Sequence, residues 1–424
     1  MTVSIETLIS FIFPPAGVVM GYKSIFEKKT SCKTVAFCFA LFMAAFAYSY
    51  IPYDNSDLVR YFDYVDQLKG LSFGEAVGQG LRGESHLIVF STMCWLIGKT
   101  GDSHLLPAVT VFVIYYIGIY VTCVVAKDLK VSSETLAEYI TFILLCLSFH
   151  AITNNIRNVF SFAIIGFATF RDCYQEKRNI WTLLMYIAPI FIHSSSLVML
   201  LLRLLIVLTG KFKFISFFLI LVVKPAVDLA YSLIGNISGS SVITSAIQDV
   251  VARAYRYFND TNSAWGLVVQ KSGSQRAMRY FYIAVAVVIC IDIFILSKQK
   301  IWEKVELSVR KDFYNVKIKR IVDYAFTIGL MTIACVPMLT PEYWRFVSAL
   351  ILFSGPVYFI SKNYVDGRFF ELFNHSIFIL MIPCMLLWMR EMRASDLSTL
   401  FLNPFISSPF VVFFKDIINL ITGV

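Results

Sequence analysis

Charged side chains are scarce in this chain. They make up 15% of it, against about 25% in soluble domains. That shortage excludes an ordinary water-soluble globular protein. Cysteines are present, but none stands in a CxxC pair or at metal-ligand spacing, which speaks against a zinc module or a dithiol redox centre. Cys38, Cys123, Cys146, Cys290, Cys335 and Cys384 lie inside apolar runs, where a thiol is a small packing residue. There is no Walker loop and no HExxH, so a nucleotide-driven pump and a zinc protease are both disfavoured. Internal repeats and low-complexity segments are missing too.

What is present is apolar length. The hydrophobic fraction is 58% and the mean hydropathy +0.71. Runs long enough to cross a bilayer as helices recur near 4–22, 34–52, 105–126, 137–153, 156–170, 180–193, 194–209, 212–226, 277–296, 321–340, 346–361 and 370–389. A shorter run covers 87–98, and a last one, 398–422, is interrupted by Pro404 and Pro409. The expected fold is an all-α polytopic integral membrane protein with about 12–14 transmembrane or re-entrant helices. It is read as a single membrane domain over 1–424. The opening segment has no basic residue ahead of its apolar run and reads as a first span, not a cleaved signal.

The net charge of +9 would suggest nucleic acid in a soluble protein. In a membrane protein it follows from lysine and arginine collecting in cytoplasmic loops. The segment 297–320 carries eight Lys/Arg against three acids and is expected in the cytoplasm. So are the turns holding Lys23, Lys28, Lys29 and Lys33, Lys127 and Lys130, Lys211 and Lys213, and Arg171, Lys177 and Arg178. The opposite, external face then receives 53–84, 153–157, 193–196, 228–275 and 341–345. A full crossing by 87–98 would break this alternation. About a dozen apolar residues are too few to cross, so 53–104 is read as an external loop plus a re-entrant segment. A cysteine-accessibility scan that placed Lys99 on the cytoplasmic side would refute this. The long external segment 228–275 contains an amphipathic helix near 243–258, lying on the outer surface of the membrane or packed as an ordinary surface helix.

Polar residues gather at the external ends of these spans. In SDLVRYF, Asp57 and Arg60 are three apart and share a helical face. They form a simple surface ion pair, or a site where Asp57 takes a hydroxyl proton and Arg60 holds an anion. Glu84 precedes the short segment, and a carboxylate entering a membrane must be paired or wet. In NNIRN, Arg157 opens a span among Asn154, Asn155 and Asn158, and a guanidinium offers bidentate geometry to phosphate. Arginines at span ends also snorkel. His193, followed by three serines, is a structural histidine or a proton carrier near neutral pH. Arg253, Tyr255, Arg256 and Tyr257 mix cations for phosphate with aromatic faces for sugar rings. Arg345 repeats the Arg157 arrangement behind Tyr343 and Trp344, read as interfacial anchors. Gly17 and Gly21 form a GxxxG pair suited to helix packing.

SDLVRYF, then Glu84, IRN at the head of a span, IHSSS between spans, AYRYF in a long external segment and a late WRF occur in this order over about residues 50–350. In that order they resemble the EpsG-like branch of the Wzy-type bacterial polysaccharide polymerases. That branch more usually has proline after the histidine, where this chain has Ser194. The resemblance implies an inner-membrane protein with its site facing the periplasm. Its substrate would be an oligosaccharide repeat unit on undecaprenyl pyrophosphate, with the growing glycan transferred onto the non-reducing end of an incoming unit. It also implies no metal or other cofactor, a chain-length regulator as partner, and no nucleic acid. The catalytic candidates are His193, Asp57 and Glu84. Those for binding pyrophosphate and sugar are Arg60, Arg157, Arg253, Arg345, Asn154, Tyr255 and Tyr257. An O-antigen ligase would share this chemistry and differ in acceptor. A flippase would want charges along a path through mid-membrane, and an acyltransferase would need its histidine on the cytoplasmic side.

Overall fold

The structure, a computed structural model, describes residues 4–27, 31–54, 56–82, 87–234, 242–259, 273–298, 315–335 and 343–365, with scattered positions between 379 and 407. Among the described residues every regular element is helical, and β pairing is limited to an isolated bridge between Tyr50 and Ser395. The chain divides into two compact units. The first comprises Met1–Ala168, Asn179–His193 and Met381–Val424, the second Thr169–Arg178 and Ser194–Leu380.

Helices of the first unit are α1 (Ile5–Ile12), α2 (Ala16–Phe26), α3 (Cys32–Tyr48), α4 (Asp57–Lys69), α5 (Phe73–Arg82), α6 (Ile88–Thr100), α7 (Leu105–Asp128), α8 (Ser133–Cys146), α9 (Phe149–Asn154), most of α10 (Ile156–Cys173), and α11 (Ile180–Ile187), which continues as a 3-10 turn. Serines at 4, 31, 56, 132 and 148 cap helix starts by accepting a backbone N–H from three residues on, which satisfies donors that the helix itself cannot. α3 packs against α7, with the Phe37 and Phe112 rings in edge contact at 5.7 Å, and α3 also carries fully buried Ala36, Ala40 and Ala44, small residues four apart of the kind that let helix backbones approach closely. The Gly17/Gly21 pair packs against the same helix. A Cβ at Gly17 would collide with the Cys38 carbonyl, and one at Gly21 with the Phe39 ring.

The sequence-based spans are shorter or broken in several places. The 4–22 run is two helices, separated where Pro14 and Pro15 remove backbone donors. The 137–153 run breaks at Leu147 and Ser148, the latter capping α9. Region 53–104 holds three helices, with α4 and α5 both lying against α6. α4 buries Leu58, Tyr61, Val65 and Leu68, a helical stripe. The 13 residues of α6 span roughly 20 Å, short of the ~30 Å hydrocarbon core. It ends at Gly101 in the left-handed region, φ +79°, where glycine carries no Cβ penalty.

The second unit holds α12 (Ser196–Lys211), α13 (Lys213–Ile234), α14 (Val242–Asn259), α15 (Gly273–Lys298), α16 (Asn315–Ala334), α17 (Tyr343–Phe353) and α18 (Gly355–Tyr364). α13 runs through Pro225 to Ile234, beyond the 226 limit read from the sequence. α14 is the helix expected at 243–258. It packs on α13: Tyr231 and Tyr255 stack at 4.0 Å, and Asn259 Nδ2 donates to Asp228 at 2.9 Å. Tyr343 and Trp344 are buried, in edge contact with each other at 5.9 Å. They are core residues of α17 and not the interfacial anchors the sequence suggested.

Two helices among the described residues are long and apolar enough to cross a membrane, Leu105–Asp128 and Arg279–Ser297; α17 and α18, bent by 49°, make a third if they form one span.

Candidate functional site

A cleft of about 330 Å³ opens in the first unit between α4, α5, α6 and the start of α10. Asp57, Arg60, Arg157, Tyr61 and Tyr64 line it, with Phe90 and Ser91 at its base. Each side chain is placed by its element. Ser56 caps α4 and puts Asp57 in the first turn, where a carboxylate complements the helix dipole. Three residues on, Arg60 forms an ion pair with Asp57. Arg157 is the second residue of α10. Its Nε–H donates to Tyr61 Oη at 3.1 Å, and its guanidinium lies 5.1 Å from the Tyr61 ring centre and 5.4 Å from that of Phe90. Two aromatic faces and one hydrogen bond thus hold this cation, and no partner of its Nη groups stands among the described residues. At the base, Tyr64 Oη and Ser91 Oγ share a hydrogen bond of 2.7 Å. Gly80 allows α5 this close, since a Cβ there would lie 2.6 Å from Ser91 Oγ.

Beside the cleft stands a cluster the sequence reading missed. His150 Nδ1 bonds Tyr50 Oη at 3.0 Å, and its Nε2 bonds Tyr53 Oη at 3.4 Å, with the Tyr53 ring stacked on the imidazole at 5.5 Å. Asn154, one turn along α9, donates to the His150 carbonyl at 3.0 Å and to Tyr50 Oη at 3.3 Å. Its buried Oδ1 has no hydrogen-bond partner among the described residues. Burial, and then the Asp57 carboxylate, push the Tyr53 hydroxyl above its ordinary pKa, which places Tyr53 within electrostatic reach of the cleft. A histidine seven residues before Arg157, at the same end of the helices, was the available signal.

Of the residues expected from sequence, Asp57, Arg60 and Arg157 come together in the cleft, and Asn154 stands in the His150 cluster. His193 is half-buried, two residues past the 3-10 turn Ala188–Phe191 that packs on α6. It does not line the cleft. Glu84 lies outside the described residues, as does the side chain of Arg253. In the second unit, Tyr255 is engaged with Tyr231, Tyr257 is half-buried on α14, and Arg345 is half-buried in the first turn of α17.

Two glycine patterns between α4 and the end of α5 have the spacing of enzyme motifs. Gly70-Leu71-Ser72-Phe73-Gly74 matches GxSxG, yet Ser72 caps α5: its Oγ and backbone N–H both donate to Glu75 Oε2, at 2.7 and 2.8 Å. These bonds hold the Glu75 carboxyl below its ordinary pKa, and they form a capping box, not a nucleophile elbow. Gly78-Gln79-Gly80-Leu81-Arg82-Gly83 matches GxGxxG. Its residues 78–82 are inside a helix, not in the strand-to-helix turn a dinucleotide loop requires. Among the described residues no group of three or more His, Cys, Asp or Glu side chains is arranged to hold a metal ion.

No protein-family model matches this chain, and no curated protein and no solved structure matches it.

Proposed function

We propose that the chain is a polytopic protein of a bacterial inner membrane that polymerises undecaprenyl-pyrophosphate-linked oligosaccharide repeat units at the periplasmic face. The observation that carries this reading is the cleft itself: two guanidinium groups, one carboxylate and two tyrosine rings face a common space beside the starts of α6 and α10. Such a set suits a donor with a pyrophosphate, a sugar and a lipid tail.

In the reaction, a hydroxyl oxygen of the incoming unit attacks the anomeric carbon of the growing glycan. The anomeric carbon–oxygen bond to pyrophosphate breaks, and its electron pair leaves with the lipid pyrophosphate. The free Nη donors of Arg157, with Arg60, match the charge that develops on that leaving group, the kind of preorganised stabilisation that dominates many enzymes. The hydroxyl proton passes to a base. Among the three candidates Asp57 is assigned, since it lines the cleft and is already ordered by Arg60. Tyr61 and Tyr64 offer ring faces to the sugar.

The test is a gel of the host's surface glycolipid after deletion of the gene. Collapse of the ladder to a single repeat unit supports polymerisation. Loss of every repeat points to a ligase or a flippase, and an unchanged ladder rejects a role in that glycan.

A further inference from the structure

The second unit contains a cleft of its own, of about 440 Å³, where α12 ends, α13 begins, α15 ends and α16 passes. Lys211, Lys213 and Lys319 line it, with Phe294 and Ser297 from α15 and Phe214 from α13. Lys213 is buried and tied down: its Nζ donates to Asp323 Oδ1 at 2.5 Å and to the Gly210 carbonyl at 3.1 Å. Gly210 permits this, because a Cβ there would strike the Asp323 carboxylate. Asp323 balances one ammonium group. Lys211 and Lys319 are exposed, so the cleft keeps an excess of positive charge.

Its level relative to the apolar surface is set by α15. Ser297 is the last residue of the candidate span Arg279–Ser297, so the lysines sit where a bilayer passes from hydrocarbon to headgroups. From the same mouth an apolar stripe runs along α13. Phe214, Phe218 and Leu221 are 63%, 53% and 71% exposed and fall at i, i+4 and i+7, one face over roughly 10 Å of helix.

We infer that this cleft holds the phosphate headgroup of an anionic glycerophospholipid, with an acyl chain lying along the exposed α13 face. Lysine ammonium groups bind phosphate as point charges, and basic pockets between helices at the cytoplasmic boundary suit acidic headgroups. The positive-inside rule assigns this end, next to the basic 297–320 segment, to the cytoplasm. A zwitterionic headgroup would bring a second cation against the surplus ammonium groups. The inference rests on the chain lying in a bilayer and is independent of the polymerase reading, because lipid retention needs no turnover.

The experiment is native mass spectrometry of the full-length chain in micelles doped with phosphatidylglycerol or phosphatidylcholine. The wild type is expected to retain phosphatidylglycerol preferentially. Lys211→Gln with Lys319→Gln should weaken that retention roughly 30-fold, from two near-surface charges lost, while Lys213 and its buried partner stay intact. Lys33→Gln with Lys127→Gln removes the same charge from exposed positions of the first unit that do not line this cleft, and should weaken retention several-fold less than the Lys211/Lys319 variant. Equal retention of the two lipids, an unaltered Lys211/Lys319 variant, or an equal loss in the control pair would overturn the proposal. So would inorganic phosphate displacing phosphatidylglycerol at matched concentration, since that marks a site for soluble anions.

Discussion

Arg157 is the residue on which the cleft chemistry turns, and replacing it separates structure from function. Alanine there removes two cation–π contacts, at 5.1 and 5.4 Å, and the 3.1 Å hydrogen bond to Tyr61. For a half-exposed cation each ring contact is worth about 0.5–1 kcal/mol, and the charge-assisted bond adds about 1 kcal/mol after allowance for solvent. Arg157→Ala should therefore cost about 2–3 kcal/mol of stability, visible as a lower melting temperature of the purified protein. Loss of catalysis should be larger. Losing one preorganised donor from a developing anion costs about 10²–10³ in rate, and alanine deletes the whole fork. Arg157→Lys discriminates between the two effects. It keeps the cation near Tyr61 and Phe90 but loses the planar fork, so it should recover most of the stability and at most about a tenth of the turnover. The assay is conversion of the undecaprenyl-pyrophosphate-linked repeat unit to a ladder by membranes carrying equal amounts of each variant. A full ladder from Arg157→Ala at wild-type protein level would refute the assignment. Lysine and alanine variants with equal turnover would reduce the guanidinium to a packing role.

Asp57→Asn should leave the melting temperature unchanged, because the pair with Arg60 is exposed and such pairs contribute little. Turnover should drop about 10²–10⁴-fold if Asp57 is the general base, and unaltered turnover would exclude it. Gly80→Leu places a side chain where even a Cβ lies 2.6 Å from Ser91 Oγ. It should lower stability by about 1–3 kcal/mol and close the cleft, whereas Gly78→Ala, with nothing within 4 Å, should add about 0.5–1 kcal/mol of helix stability; thermal melts of both check the contrast. In the second unit, burial raises the Asp172 carboxyl but Arg203 and Arg178 more than offset it, leaving its pKa below the ordinary 3.8. A carboxyl lowered on folding stabilises above its unfolded pKa, and the gain disappears as pH falls through the folded value. The stability difference between wild type and Asp172→Asn should thus be constant above about pH 5 and shrink below pH 3.8. A difference that grew on acidification would reverse the sign of the coupling.

Periodicity and composition made the helices legible because each is a local property. The region of α4 is read as a loop although Leu58, Tyr61, Val65 and Leu68 already have helical spacing, yet Asp57 and Arg60 read as sharing a helical face. The amphipathic α14 was legible for the same reason. Its docking was not, since Tyr255 meets Tyr231 twenty-four residues away and nothing in either segment names the other. The same limit hid the cleft. Arg157 reads from sequence as a cation at a helix start; that it is held over Tyr61 and Phe90 depends on α4, α6 and α10 converging. Tyr64 and Ser91, 27 residues apart, and Tyr50 and His150, 100 apart, are ordinary residues until the fold joins them. The breaks at Pro14–Pro15 and at Ser148 are legible in principle, as missing donors and as a cap. An apolar run of the right length conceals them, because hydropathy reports burial and is blind to backbone hydrogen bonding. The short α6 shows the two kinds of information acting together. Its length falls short of the hydrocarbon core, but only its packing against α4 and α5 explains why so apolar a segment carries the base of a polar cleft: Phe90 supplies the aromatic face for Arg157, and Ser91 the hydroxyl for Tyr64.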